Sequence, residues 1–320
     1  MTGMIRRHPW GDLADPNLPP PSDVAILGLP FEGGACWRGG AAEAPRRLRE
    51  ISDSSPAISE EGYIVEPSIL KVKDLGDIMP VAGDSEDAVR EDFFTRTERV
   101  VADALRMAAM AGRDLFLLSI GGDHSVTIPL LRGFASGFPE GYGLVSLDAH
   151  PDLFDTYDDS PYANACPMRR ALDGSRLKPE HLLILGTRSY NQVELDFMHE
   201  RGIAFVPARQ IDKQGVDATL AMARERMKGL GNIYLTIDID VADPGCAPGT
   251  GAPVAGGLSS RQLLDLTRGL VHDLPVRAMD IVEVSPPLDP TDATLFLALQ
   301  IIFETFAVLA EKRKPKARRR

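Results

Sequence analysis

Seven short, β-rich apolar runs punctuate the sequence, and their spacing restricts the fold more than any other feature. They are residues 24–29 (VAILGL), 115–120 (LFLLSI), 144–147 (LVSL), 182–185 (LLIL), 203–206 (IAFV), 233–237 (IYLTI) and 276–284 (VRAMDIVEV). Runs that are apolar throughout, without alternation, read as strands buried on both faces. Between them, residues 84–112 offer Asp84 and Ser85 as caps, then Val89, Phe93, Val101, Ala104, Leu105 and Ala108 at helical spacing, and Gly112 as a stop. Residues 218–228, 260–271 and 293–311 carry further helical patterns. Alternation of this kind along nearly the whole chain predicts an α/β fold in which helices cover both faces of a parallel sheet.

The chain has 320 residues, enough for one large domain or two modest ones, and no shift in composition marks a second. Pro16, Pro19, Pro20 and Pro21 keep the beginning out of regular structure. The expected organisation is an N-terminal proline-rich arm (1–22), one catalytic domain (23–311) and a basic, solvated tail (312–320, KRKPKARRR) to which we assign no function. A formal net charge of −11 disfavours nucleic acid as a partner. No signal peptide is evident and no stretch reads as the roughly 20 apolar residues of a bilayer span, so no membrane partner is expected. Cys36, Cys166 and Cys246 are far apart and form no C-x-x-C pair, which fits a reducing cytoplasm and small buried thiols.

Ligands of open α/β sheets bind at the carboxyl ends of strands, so the residues following each run matter most. After 115–120 comes Gly121-Gly122-Asp123-His124-Ser125, after 144–147 comes Asp148-Ala149-His150-Pro151-Asp152, and after 233–237 comes Asp238-Ile239-Asp240. Alternate side chains of extended chain share a side, so Asp148, His150 and Asp152 converge, as do Asp238 and Asp240. With His124 they put two imidazoles and four carboxylates at one rim, where uncompensated carboxylates would repel. Two divalent cations would neutralise them and supply an activated water for hydrolysis. A nitrogen and oxygen donor set without thiolate suits Mn²⁺, Ni²⁺ or Fe²⁺. Triad, P-loop and dinucleotide-binding spacings are absent.

GGDHS, DAHPD and IDIDVADP, with the following PGTGAPVAGGLS, resemble the signature blocks of the ureohydrolases, the arginase and agmatinase family. Pro30-Phe31-Glu32, Arg38-Gly39, Ala44-Pro45 and Leu48-Arg49 resemble its N-terminal substrate-loop region, and Glu283-Val284-Ser285-Pro286-Pro287 its C-terminal block. The resemblance implies a three-layer α/β/α domain with a mainly parallel eight-stranded sheet and two divalent metal ions per chain, usually Mn²⁺ and occasionally Ni²⁺. It implies hydrolysis of a guanidino compound to an amine plus urea. His124, Asp148, His150, Asp152, Asp238 and Asp240 then fall on metal-ligand positions, Asp240 also on the proton carrier, and Glu283 on the acid that grips the guanidinium. Trimers or hexamers, of this chain alone or with a paralogous subunit, follow from the same resemblance.

One position departs from the family. Many relatives carry a proton-shuttling histidine about a dozen residues after the D-A-H block, where this chain has Tyr162-Ala163-Asn164-Ala165-Cys166-Pro167. Asparagine does not titrate, so Asn164 is expected to position substrate, to leave proton transfer to water and another group, or to mark lost activity. The alternative to an amidinohydrolase is thus a non-catalytic or helper subunit of a heteromeric complex. Residues 153–163 (LFDTYDDSPYA) lack the polar run with which arginases resemble one another in gripping an α-amino acid. Agmatine, guanidinobutyrate and a small or alkylated guanidine or biguanide remain as substrates, with Trp37 as a wall and Asp155 as an attractor for a cationic tail.

Overall fold

The computed structural model describes residues 8–174 and 176–314. Among these residues, eight strands, β1 (Val24–Gly28), β2 (Val72–Asp77), β3 (Phe116–Ile120), β4 (Gly143–Leu147), β5 (Leu182–Leu185), β6 (Ala204–Val206), β7 (Ile233–Asp238) and β8 (Val276–Val282), form one sheet in the order β2-β1-β3-β8-β7-β4-β5-β6. Every pairing is parallel. The seven apolar runs all become strands. The eighth, β2 (VKDLGD), is an edge strand whose exposed side tolerates charge, so it carries no continuous apolar run and only the family resemblance anticipated it.

Among the described residues, nine α-helices complete three layers. On one face lie α1 (Ala44–Ser52), α6 (Ala208–Gln214), α7 (Val216–Arg226), α8 (Ser260–Asp273) and α9 (Ala293–Arg313), packed against the side chains of Ile26, Leu118, Val145, Leu235 and Met279. On the other lie α2 (Glu86–Met110), α3 (Thr127–Gly137), α4 (Pro167–Gly174) and α5 (Gln192–Arg201), against Leu27, Leu117, Leu144, Tyr234 and Ala278. Residues one apart along a strand enter opposite cores, which is why the central strands had to be apolar without alternation. Helix α2 begins where its sequence said it should: the Ser85 hydroxyl accepts from the Ala88 N–H, and Gly112 beyond its end has φ +61°.

Two expectations change. Helix α9 is 21 residues long with a mean hydropathy of 2.0 over its most apolar stretch, so by length and composition it is apolar enough to cross a membrane, contrary to the sequence reading. Of that stretch, 83% is buried against the sheet and helices α1 and α8, which is the environment its side chains fit. Residues 8–22 contain no helix or strand, yet they do not stand apart from the domain. Trp10 and Leu13 are fully buried in the core, Ala14 bridges to Val72, and the Trp10 indole N–H donates to Asp74 Oδ2 at 2.7 Å. Of the basic tail, Lys312 and Arg313 close α9, Lys312 Nζ donates to the Val271 carbonyl, and residues 315–320 lie outside the described residues.

Trp10→Ala is therefore expected to lower the unfolding free energy by about 3–5 kcal/mol, the cost of emptying a large buried aromatic site. Chemical denaturation followed by circular dichroism checks this, and a loss under about 1 kcal/mol would show that the segment is only loosely attached.

Candidate metal centre and substrate cleft

The chemistry-bearing side chains gather at the carboxyl ends of the four central strands β3, β8, β7 and β4. His124 follows β3, Asp148 follows β4, Asp238 ends β7 and Glu283 follows β8. His124 Nδ1 lies 2.8 Å from Asp152 Oδ2, 3.2 Å from Asp148 Oδ2 and 3.4 Å from Asp238 Oδ2. His150 Nδ1 lies 3.0 Å from Asp240 Oδ2 and 3.7 Å from Asp148 Oδ1. The Asp148 carboxylate thus faces both imidazoles, one oxygen to each. All six residues are brought together, and five of them are buried, His150 being partly open.

Local backbone geometry fixes the carboxylates. Asp148 Oδ1 accepts from the His150 N–H, Asp238 Oδ1 from the Asp240 N–H, and Asp240 Oδ1 from the Ala149 N–H, at 2.7, 2.8 and 3.1 Å. The D-x-H and D-x-D spacings are the reason, since an aspartate reaches the N–H two residues on. Asp152 and Glu283 both hold φ near +60°, at 54° and 61°, a conformation that costs a non-glycine residue about 1–3 kcal/mol and persists where the surroundings enforce it. Gly122 is needed for close approach, because a Cβ there would overlap the Phe31 carbonyl.

Donor chemistry and spacing fit metal ions. His124 Nδ1 and Asp148 Oδ2 are buried and make no hydrogen bond, although they face each other. Separations near 3 Å between converging donors match neighbouring ligands around a dication bonded at about 2.1 Å. The far nitrogen of His124, Nε2, lies 3.0 Å from Thr236 Oγ1, which donates to Asp280 Oδ1 at 2.5 Å. Asp280 also accepts from Thr127 and Tyr234. This buried chain directs the Nε2 proton away and leaves Nδ1 as the donor to a metal.

With protons alone to balance the carboxylates, the site is highly perturbed. Burial would depress both histidines, but Asp148, Asp152 and Asp238 hold His124 well above its usual range, and Asp148 and Asp240 push His150 up to about 12. Burial and the negative charge of Asp148 raise Asp152 to about 7. Burial also favours the acid form of Asp148, yet the two imidazoles outweigh it and draw that carboxyl down to about 2. Burial, then Asp123, raises Glu283 to about 8.

A cleft of about 310 Å³ opens over these groups, with Trp37, Arg38, Phe154, Tyr157, Tyr190 and Asn164 among its walls. Glu283 stands at its floor. Its Oε1 accepts from the His124 N–H at 2.8 Å and from Asn164 Nδ2 at 2.9 Å. Asn164 is therefore joined to the acid rather than free at the mouth. Asp155 does not come to the cleft: it pairs with Arg170 at 2.5 Å and does not line the pocket, so the expected attraction of a cationic tail has no support in its position. Cys36 and Cys166 are held protonated, their thiols raised mainly by burial to about 12 and 11, which removes them as nucleophiles.

Three residues escaped the sequence reading. Asp280 lies inside an apolar run, and a carboxylate at such a position was itself the signal. Arg188 follows β5, as the rule of looking past each strand would have found, and its guanidinium donates to the carbonyls of Asp240, Ala242 and Val254, tying down the loop after β7. Asp123, given no role from the sequence, accepts from Gly34 N–H and Ser125 N–H and fastens the loop after β1 to the site.

Comparison with known proteins agrees with this geometry. Residues 22–307 match the family model described as the arginase family. The chain is 37% identical over 293 residues to the guanidinopropionase of Pseudomonas aeruginosa, covering 90% of this chain and 87% of that protein. It is 32% identical over 297 residues to the agmatinase of Edwardsiella ictaluri, covering 91% and 90%. Among solved structures it resembles the proclavaminate amidino hydrolase of Streptomyces clavuligerus, with a TM-score of 0.83 and 30% identity over 96% of this chain and 98% of that one.

Because His124 and His150 are protonated across the neutral range when no metal is bound, metal uptake must displace protons. The sign is fixed: apparent Mn²⁺ or Ni²⁺ affinity rises with pH, about tenfold per pH unit for each proton released. Calorimetric titration in two buffers of different ionisation enthalpy should show at least one proton released per chain, and none would contradict the site.

Proposed function

This chain belongs to the arginase family, and from that premise we propose that it is a binuclear-metal amidinohydrolase that cleaves a C–N bond of a guanidino compound to an amine plus urea or a urea-like product. Candidate substrates are agmatine, guanidinobutyrate and a small or alkylated guanidine or biguanide. The observation that carries this reading is the pair of imidazole nitrogens, each aimed at carboxylate oxygens, with Asp148 shared between them.

His124, Asp148, Asp152 and Asp238 would hold one ion, and Asp148, His150, Asp238 and Asp240 the other, with Mn²⁺ the first choice and Ni²⁺ the second. When bound, such a pair supplies Lewis-acid charge and a water that ionises near neutral pH. The residues do the rest. Glu283 presents a carboxylate to a planar cation, and arrival of the guanidinium offsets the burial that otherwise favours its acid form. Asn164 donates to Glu283 and so orients it, which gives the family's histidine position a binding role in this chain. Asp240 lines the cleft with Oδ1 anchored on the Ala149 N–H and Oδ2 against His150, a suitable station for a proton passing to the leaving nitrogen.

The intact set of six donors favours catalysis over a helper role, since a subunit that only assembles has no need of a carboxylate cluster. Arginase-family proteins are typically oligomers, and the trimer or hexamer remains our expectation, as do a cytoplasmic location and residues 23–311 as the catalytic unit.

Purified protein loaded with Mn²⁺ or Ni²⁺ is expected to release urea or amine from at least one guanidine of a panel, and Asp148→Ala or Asp240→Ala to lose metal and turnover while keeping the fold. Undiminished activity in either variant would remove the assignment. Asn164→Ala is expected to lower kcat/KM about 10- to 100-fold, the worth of one hydrogen bond to a charged acceptor, and Asn164→His to move the pH profile. If neither change alters the kinetics, Asn164 has no part in holding Glu283.

A further inference from the structure

The cleft has two unlike halves. Its floor is buried and acidic, made by Asp152, Asp238, Asp240 and Glu283. Its rim is aromatic: Trp37, Phe154, Tyr157 and Tyr190 all line it, in a chain whose aromatic content is only 6%. Trp37 is 77% exposed, a large apolar surface left in water beside the site. The other rings are braced. Phe154 and Tyr157 meet edge to face with centroids 5.2 Å apart, and Tyr190 meets Phe205 at 6.4 Å. Tyr157 opens a two-residue turn, exchanging hydrogen bonds with Ser160 across Asp158 and Asp159, both at positive φ.

Charge at the rim runs against a second cation. Asp155 is taken by Arg170, and Asp158 and Asp159 occupy the turn without lining the cleft. Glu194 is buried and accepts from the Asn191 and Leu153 N–H groups. Arg38, which also lines the cleft, donates to the Gly251 and Thr250 carbonyls. An ammonium arriving at the rim would lose water and meet the Arg38 guanidinium, with the Glu194 carboxylate already engaged by two backbone donors. A carboxylate tail would find Arg38 with two of its five N–H donors already committed to those carbonyls.

Resting on the reading of this site as an amidinohydrolase centre, we propose that the rim is an aromatic box selecting a singly charged guanidinium with an apolar N-substituent, and that Trp37 is the residue that sets this preference. The floor takes the guanidinium on Glu283, and the rim stacks on the alkyl group and the adjacent planar nitrogen. Hydrolysis of such an N-alkylguanidinium consumes one water and yields urea and the alkylammonium, so charge and protons balance without any further reactant.

The test compares N-butylguanidine with agmatine, which differs by a terminal ammonium, and with 4-guanidinobutyrate, on the metal-loaded protein. The expected result is a kcat/KM for N-butylguanidine about tenfold or more above both, the range that apolar pocket contacts provide. Trp37→Ala should raise KM for N-butylguanidine at least about tenfold more than KM for methylguanidine, with kcat little changed. Better turnover of agmatine or 4-guanidinobutyrate by the wild type, or equal KM effects on the two alkylguanidines, overturns this inference and leaves the hydrolase reading standing. Binding is read independently of turnover, because Trp10 is fully buried and Trp37 is the other of the two tryptophans. N-butylguanidine should shift Trp emission at lower concentration than agmatine, and Trp37→Phe should abolish the shift. If no guanidine is hydrolysed but this shift appears, the box stands and the hydrolase reading falls; if agmatine shifts the emission equally well, or nothing does, the box falls.

Discussion

Four carboxylates lie within a few ångströms of one another at a rim walled by buried strands, and the rest of the structure is arranged around the cost of putting them there. Screening by water is weak at such a place, so their mutual repulsion must be met by positive charge at short range. Two imidazoles meet part of it. The opposite displacements of Asp148, drawn down to about 2, and Asp152, pushed up to about 7, show how unevenly protons serve, since they neutralise one acid at a time whereas a dication can lie between several. A polar cluster of this kind is tolerated only on a scaffold stable enough to carry it. The sheet supplies that scaffold through strands that bury side chains on both faces.

Topology decides where the cluster forms. The order β2-β1-β3-β8-β7-β4-β5-β6 places next to one another four strands that are distant in sequence, so the loops after residues 120, 147, 238 and 282 open onto one crevice. No single loop carries a complete site. The surrounding residues hold these loops in mutual register: Arg188 grips the loop after β7 through its carbonyls, Asp123 ties the loop after β1, and Asp280 reaches His124 through Thr236. Asp152 and Glu283 persist at positive φ with their own backbone groups held: the Asp152 carbonyl accepts from the Met168 and Arg169 N–H groups, and the Glu283 N–H donates to the Gly122 carbonyl. Strain at a functional position is sustained by a surround that leaves no alternative.

The sequence was most legible where one physical requirement acts alone. Seven strands stood out because burial on two faces demands continuous apolar residues, and the six clustered donors because they follow those strands at alternating positions. It was least legible where two requirements overlap. Strand β2 is half exposed and reads as polar. Helix α9 is so thoroughly enclosed that its sequence meets the length and apolarity of a bilayer span, and only its packing against α1 and α8 distinguishes the cases. Trp10 sits among proline-flanked residues with no periodicity, so nothing local announced its burial. Asp155 was named for its charge, but a charge acts only where it points, and Arg170 was too far along the chain for pairing to be evident.

Asn164 fills the altered position of a familiar motif with a definite contact. A histidine at that position titrates and carries a proton, whereas the asparagine amide gives a permanent donor, and here it donates to the same Glu283 oxygen that receives the His124 N–H. Two fixed donors on one oxygen leave the other lone pairs of the carboxylate to receive a cation in a defined direction. The substitution exchanges a group that responds to pH for one that holds geometry, and it does so beside a rim of aromatic rings.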